Sequence, residues 1–258
     1  MARIRTYKTQ AVVLKQIPLG EADRIITLCT PNMGLIRAIA KGVRRPKSKL
    51  RGHIELLNHI SISLNRGRNL DIVSEAESIN SFGNLRKNLK RLSIAFYVAE
   101  IVLGFSAEES PSTVLYRLLL TALSALEVTD QLELIARYCE IGALSGSGYK
   151  PELHSCVDCR SILEPSDHVF SYLKGGILCP SCHNDYGEKL IPVSLNAMKL
   201  MRFMQKETLL STAGLNVSRK LLNEVGQTNR RYIRFIMEKE LKTTKFMDLV
   251  SNTSPQVK

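Results

Sequence analysis

Apolar residues fall in short blocks and alternations through the first 80 positions, and their spacing changes to threes and fours near residue 83. The first pattern predicts strands, the second helices. Strands are expected over 7–17, around the run Ala11-Val-Val-Leu14, over 24–30 and over 35–40. The cluster Pro31-Asn-Met-Gly34 turns the chain between the last two. Further strands are expected over 56–64, which alternates around His59, Ser61 and Ser63, and over 70–77. Five short strands with no long helix among the first three predict a small barrel or sandwich. An OB-type barrel fits strand number and size, and an SH3-like barrel fits nearly as well.

From residue 84, Leu85, Leu89, Leu92, Phe96, Ala99 and Leu103 define the core stripe of an amphipathic helix. Ser110-Pro111 reads as a helix start with proline at the first position, leading into a second helix over 113–126. Asp130-Gln-Leu-Glu133 reads as a capping box for a third, which runs to Leu144 and ends at Ser145-Gly-Ser-Gly148. Residues 149–191 read as irregular. Helices return over 194–206 and 216–242, and a polar tail from Ser251 is expected to fray. The fold class is therefore α+β. The expected organisation is a β-barrel over 1–81, a helical domain from 82–148 and 188–250, a cysteine-bearing insertion over 149–187, and a tail over 251–258.

Charge changes this picture most. The 258 residues carry a net +12, and residues 1–91 hold 18 Lys and Arg against 6 Asp and Glu. The remainder is neutral, with 18 of each sign. So basic a domain attracts polyanions. An anionic membrane would need a basic amphipathic helix or a lipid anchor, and this third reads as strands without a lipidation motif. Nucleic acid is the expected partner. No apolar stretch reaches the roughly 18 to 20 residues of a membrane span, and the N-terminus lacks a signal-peptide core, so cytoplasmic residence is expected.

The cations cluster. No acidic residue lies between Arg37 and Ile54, a stretch that holds Arg37, Lys41, Arg44, Arg45, Lys47, Lys49 and Arg51. Interspersed Gly, Pro and Ser make it a loop able to follow a phosphate backbone. Arg66-Gly-Arg68 adds a basic hairpin tip, and Arg86, Lys87, Lys90 and Arg91 a basic helix face. Tyr7 is the only aromatic residue among the first 81, so base stacking is expected to be minor and binding largely electrostatic.

Four of the six cysteines form Cys156-x-x-Cys159 and Cys179-x-x-Cys182, nineteen residues apart. Each two-residue gap lets a tight turn aim two thiolates at one ion, and two such turns complete a sulfur tetrahedron. One structural Zn2+ is expected. His154, His168 and His183 flank the cluster and are read as loop residues, while Cys29 and Cys139 fall in apolar patterns as buried small residues. Disulfides need an oxidising compartment, a thioredoxin-like pair needs a βαβ setting, and a zinc deaminase needs Pro-Cys-x-x-Cys, whereas here Pro180 follows Cys179. No Walker loop, Gly-x-Ser-x-Gly or His-Glu-x-x-His occurs, so no catalytic set is expected. Glu21 and Asp23 lie close together, but the turn setting and neighbouring Arg24 favour a structural role.

Several of these segments, in this order, resemble the bacterial RecO recombination-mediator family. They are Ala11-Val-Val-Leu14, Gly20-Glu-Ala-Asp-Arg-Ile25, Thr30-Pro-Asn-Met-Gly34, Ala40-Lys-Gly-Val-Arg-Arg-Pro-Lys-Ser48, Gly148-Tyr-Lys-Pro151, and the two cysteine pairs with Gly175-Gly-Ile-Leu178 before the second. The resemblance implies an N-terminal OB-fold barrel, a helical domain and a zinc-binding insertion. It further implies binding of single- and double-stranded DNA, annealing of complementary strands, and work with RecR to load RecA onto DNA coated by single-strand-binding protein, on the bacterial nucleoid. Arg24, Arg37, Lys41, Arg44, Arg45, Lys47, Lys49, Arg51, Arg66 and Arg68 are the expected DNA contacts, and Arg230, Arg231 and Arg234 a possible rim for the acidic tail of single-strand-binding protein. The competing reading is a zinc-ribbon RNA-binding, transcription-associated or interaction protein.

Overall fold

The computed structural model describes residues 6–183 and 190–252. The chain divides into two compact units, Met1–Glu127 and Val128–Lys258.

In the first unit, five strands close into a barrel: β1 (Thr6–Leu19), β2 (Asp23–Thr30), β3 (Gly34–Ala40), β4 (His59–Asn65) and β5 (Asp71–Asn80). Their order around the barrel is β1-β2-β3-β5-β4. β1 pairs antiparallel with both β2 and β4, while β3 and β5 meet in parallel over only Ala38↔Asp71 and Ile39↔Ile72. This is the OB arrangement, and it excludes the SH3-like alternative. The alternation in β4 is the reason for closure. Ile60, Ile62 and Leu64 are fully buried between half-exposed neighbours, and they meet Ala11, Val13, Ile26, Leu28, Ala38 and Val73 inside. Each such side chain contributes roughly 1.5–3 kcal/mol of burial. β4 begins later than its alternation suggests, because Leu57 takes a left-handed turn (φ 68) before His59.

Three helices complete this unit: α1 (Gly83–Lys87), α2 (Leu89–Phe105) and α3 (Thr113–Val128), the last running one residue past the division. α3 starts at Thr113 and not at Pro111, the proline expected at its first position. Asn88 caps α2 by accepting from the backbone N–H groups of Lys90 and Arg91. The stripe expected on α2 is corrected. Of its members Leu85 and Ala99 are buried, but Leu89 is exposed and Leu92, Phe96 and Leu103 are half-buried, while Ile94, Tyr97, Val98, Ile101 and Val102 are buried. The helix is apolar on more than one side, so periodicity alone picked only part of the buried face.

The α2–α3 connection lies on the β2–β3 hairpin. Leu35 N–H donates to the Ala107 carbonyl at 3.0 Å, and Thr113 Oγ1 donates to the Pro31 carbonyl at 3.2 Å. Gly34 makes this approach possible. Its φ is +67°, and a Cβ there would stand 2.5 Å from the Ala107 carbonyl oxygen and 2.8 Å from that of Ser110.

The second unit holds α4 (Leu132–Gly146), a three-stranded sheet of β6 (His168–Ser171), β7 (Gly176–Leu178) and β8 (Leu190–Val193) in the order β7-β6-β8, then α5 (Leu195–Lys206), α6 (Leu209–Ala213), α7 (Arg219–Met237) and α8 (Lys242–Asn252). The sheet replaces an expected irregular stretch. The capping box at Asp130 does not form: α4 starts at Leu132 behind Gln131, without a side-chain cap. The helix expected over 216–242 ends at Met237, where Glu238 turns left-handed (φ 54), and α8 follows. Of the tail expected to fray, residues 251 and 252 end α8 and 253–258 lie outside the described residues, as do 184–187 of the insertion.

A buried ion pair within α4 meets α7. Arg137 reaches Glu140 at 2.9 Å, and Glu140 also accepts from Asn229 Nδ2 at 3.0 Å. Gly226 lies flush against the guanidinium, where a Cβ would overlap Nη1. Breaking such a pair on one side costs about 3–5 kcal/mol, because the other charge is stranded.

Replacing Gly34 with Ala is expected to destabilise the protein by about 2 kcal/mol or more, from the left-handed backbone and the carbonyl clash together. A thermal or urea melt checks this. Wild-type stability would contradict the docking of residues 107–110 on the hairpin.

Candidate nucleic-acid interface and metal centre

The segment between β3 and β4 is a chain of turns, as its Gly, Pro and Ser content dictates. Its cations, Lys41, Arg44, Arg45, Lys47, Lys49 and Arg51, are all exposed. Val43 and Ile54 are fully buried in the barrel core and anchor the segment from below. Main-chain bonds hold its start against the β1–β2 turn. Gly42 N–H donates to Asp23 Oδ1 at 2.7 Å, Arg44 N–H to the Ala22 carbonyl at 2.9 Å, and the Arg44 guanidinium to the Gly20 carbonyl at 3.1 Å. Asp23 is thus a fastening of the loop, in keeping with the structural role expected for the Glu21/Asp23 pair.

The ten expected DNA contacts do not form one cluster. Arg24 joins the loop end of the barrel but is already engaged: it donates to Gln16 Oε1 at 2.8 Å and lies 3.7 Å from Glu55. Arg37, Arg66 and Arg68 line a separate groove of about 1710 Å³, together with Tyr7, Met33, Leu35 and Asp71. There the Arg66 guanidinium sits 5.2 Å from the centre of the Tyr7 ring. Tyr7 donates to Asp71, and burial followed by that hydrogen bond raises its pKa well above the usual tyrosine range.

The basic helix face is only partly available. Arg86 donates to the Leu56 carbonyl at 2.7 Å and to Asn58 Oδ1 at 2.9 Å, and Arg91 to the Leu126 carbonyl at 2.6 Å. Lys87 and Lys90 are exposed. On α7, Arg230 pairs with Asp248 and Arg234 with Glu240, both at 3.2 Å, and Arg231 is exposed. One turn beyond Arg231, Phe235 packs against Tyr172 with ring centres 5.3 Å apart. Sequence reasoning missed these aromatics because Tyr172 and Phe235 are 63 positions apart in the chain.

In the second unit the two cysteine pairs come together. One thiol sulfur from each of Cys156, Cys159, Cys179 and Cys182 lies within 4.8 Å of all the others, with Cys159 and Cys179 3.7 Å apart. A tetrahedron with bonds of about 2.3 Å has edges near 3.8 Å, so this spacing suits one ion. The first pair sits in a turn closed by Cys156 N–H to the Ser161 carbonyl (2.8 Å) and Arg160 N–H to the Cys156 carbonyl (3.0 Å), with Arg160 left-handed. Val157 N–H ties this turn to Ile177 of β7 at 2.9 Å, and β7 leads directly into Cys179.

The thiols divide their protons unequally. The Ser161 hydroxyl and N–H beside Cys159 hold its thiol down at about 6. Contacts in which Cys182 donates to Cys179 and Cys159 push its thiol up to about 12. Four sulfurs this close cannot all ionise without a cation between them, and the group can hold a metal ion. His154, His168 and His183 are not part of the cluster. Cys29 and Cys139 are buried, and burial pushes the Cys29 thiol up to about 12 and that of Cys139 beyond it, which leaves both inert at neutral pH.

Titrated with Co2+, the reduced protein is expected to take up one ion per chain, with sulfur-to-metal charge-transfer absorption and the visible bands of a tetrahedral site. Cys156→Ser is expected to weaken uptake at least ~10-fold. Absence of sulfur ligation would contradict the assignment.

Among the described residues, no helix is long and apolar enough to cross a membrane. The family model described as Recombination protein O N terminal matches residues 1–82, and Recombination protein O C terminal matches residues 86–245. The chain is 41% identical to a DNA repair protein RecO of Dehalococcoides mccartyi over 98% of its length and 100% of that protein's. It is 36% identical to the DNA repair protein RecO of a Roseiflexus species, over 95% of this chain and 86% of the relative. The Acetivibrio thermocellus protein of the same name is 37% identical over 90% and 92%. Matches to both halves and to whole-length relatives agree with the barrel, the helices and the four-cysteine cluster: the chain belongs to the RecO family, and its role lies in DNA repair and recombination.

Proposed function

We propose that the protein is a recombination mediator that binds single- and double-stranded DNA through the barrel and promotes annealing of complementary strands without bond-making chemistry of its own. The observation that carries this reading is the loop over 41–51. It places six exposed cations on one fastened segment, and no carboxylate interrupts residues 38–53. Such a surface contacts the backbone phosphates that every sequence shares. Annealing requires two polyanions to approach. A cationic surface lowers their repulsion, base pairing supplies the free energy, and no nucleotide need be hydrolysed.

Around this core the reading places the family's partners. RecR joins the protein on the DNA, single-strand-binding protein is the coat to be overcome, and RecA is the recombinase loaded as a result, in the cytoplasm on the nucleoid. The acidic tail of single-strand-binding protein suits the face where Arg231 adjoins the Tyr172–Phe235 pair. The metal is one Zn2+ held by Cys156, Cys159, Cys179 and Cys182. All-sulfur ligation leaves no open position for a reacting water, so its role is to fasten residues 156–182 to β7.

Replacing Arg44, Arg45 and Lys47 together with Ala is expected to weaken DNA binding on all sequences. The slope of log affinity against log salt should flatten by about 0.9 per lost phosphate contact on duplex and about 0.7 on single strands. Fluorescence anisotropy over a salt series measures both. An unchanged slope would overturn the loop as the DNA contact, and equal or tighter binding to RNA would favour an RNA-binding protein.

A further inference from the structure

Apart from Arg24, the expected contact residues of the barrel fall into two groups that keep different company. The loop over 41–51 is uninterrupted by acid. In the groove, Arg37, Arg66 and Arg68 share the walls with Asp71, Glu108 and Glu109, so formal charge cancels. The two places lie at opposite ends of β1: Tyr7 is at its N-terminal end under Arg66, and its C-terminal end leads into the turn at Gly20 and Ala22 that holds Arg44. Fourteen residues and a bulge between Val13 and Lys15 separate the two along β1, while on β3 Arg37 of the groove is four residues before Lys41 of the loop.

The three groove carboxylates are not equivalent. Asp71 is spent within the fold, accepting from the Tyr7 hydroxyl and from Gly67 N–H at 3.1 Å, and so orders the tip that presents Arg66 and Arg68. Glu108 and Glu109 come from the connection docked on Gly34, where Ala107 and Ser110 pair across a tight turn and Glu109 is left-handed. Glu108 approaches Arg37 at 3.9 Å, with both side chains about half exposed. An exposed pair of that length is weak, and a phosphate can displace it. The connection thus carries removable negative charge to Arg37 and to a groove of about 1710 Å³ whose walls Arg66 and Arg68 share.

We propose that this groove is a second phosphate-backbone site, attenuated by Glu108 and Glu109, so that one chain holds two nucleic-acid strands with unequal strength. This rests on the reading of the barrel as a DNA-binding domain. The inequality has a use in annealing. The strand on the loop is held, while the strand in the groove exchanges and slides until its bases find register with the first.

The experiment measures binding of a labelled single strand of about 12 nucleotides by anisotropy and sedimentation at several salt concentrations. The wild-type protein is expected to show a tight and a weak event, two strands per chain. Glu108→Gln with Glu109→Gln strengthens the weak event about fivefold and leaves the tight one unchanged. Glu75→Gln with Glu77→Gln, the same charge change on exposed positions of β5, alters the weak event less than twofold. Arg66→Gln with Arg68→Gln removes the weak event, with thermal melts to confirm that the variant is folded. One strand per chain, or equal gains from the two glutamate pairs, overturns the second site while leaving the loop in place. No binding at either site overturns the DNA-binding reading itself.

Discussion

A loop with six cations in eleven residues repels itself, and little at its surface offsets that repulsion. What keeps the charges together is main chain. Gly42 and Arg44 donate backbone N–H groups to the β1–β2 turn, while Val43 and Ile54 are sealed in the barrel core on either side of the charged run. The positive field is therefore fixed to the scaffold by backbone N–H groups, by the Asp23 carboxylate that accepts from Gly42 and by two buried apolar anchors, and the loop's six cationic side chains stay exposed. For the proposed DNA contact, the ordering cost of the surface is already met in folding, which is the condition for tight contact without conformational change.

The second unit solves a different problem. β6, β7 and β8 have four, three and four residues, too few to bury a core of their own. Two devices compensate. The four-sulfur cluster closes the turns at 156–159 and 179–182 against β7. The buried Arg137–Glu140 pair, met by Asn229 and accommodated by Gly226, fixes α4 on α7. A metal ion held by the four sulfurs would fasten a segment that periodicity cannot stabilise.

What the sequence made legible follows from the same physics. The barrel was readable because β3 and β4 bury every second residue while β1 and β2 carry short apolar blocks, signals that survive without knowledge of pairing. The cysteine cluster was readable because the ligand spacing is itself local. The small sheet was not, since strands this short show no period, two of them open on His168 and Gly176, and Pro192 interrupts the third. The end of α7 at Glu238 carries no Gly or Pro to mark it, and α2 offers apolar residues on more than one side, so its buried face is decided by packing. The loop's cations were visible, but their separation from Arg37, Arg66 and Arg68 was not, because it depends on where β3, the β4–β5 tip and the 107–110 turn converge. Glu108 meets Arg37 across 71 positions of chain, beyond the reach of any local pattern.

The central claim is that the loop over 41–51 is the principal contact with DNA. Acylation footprinting of lysines, read by mass spectrometry with and without a saturating single strand, tests it in the unaltered protein. Lys41, Lys47 and Lys49 are expected to lose most of their reactivity on binding, while the exposed Lys199 and Lys239 keep theirs. Undiminished reactivity at all three loop lysines while DNA is bound would contradict the account.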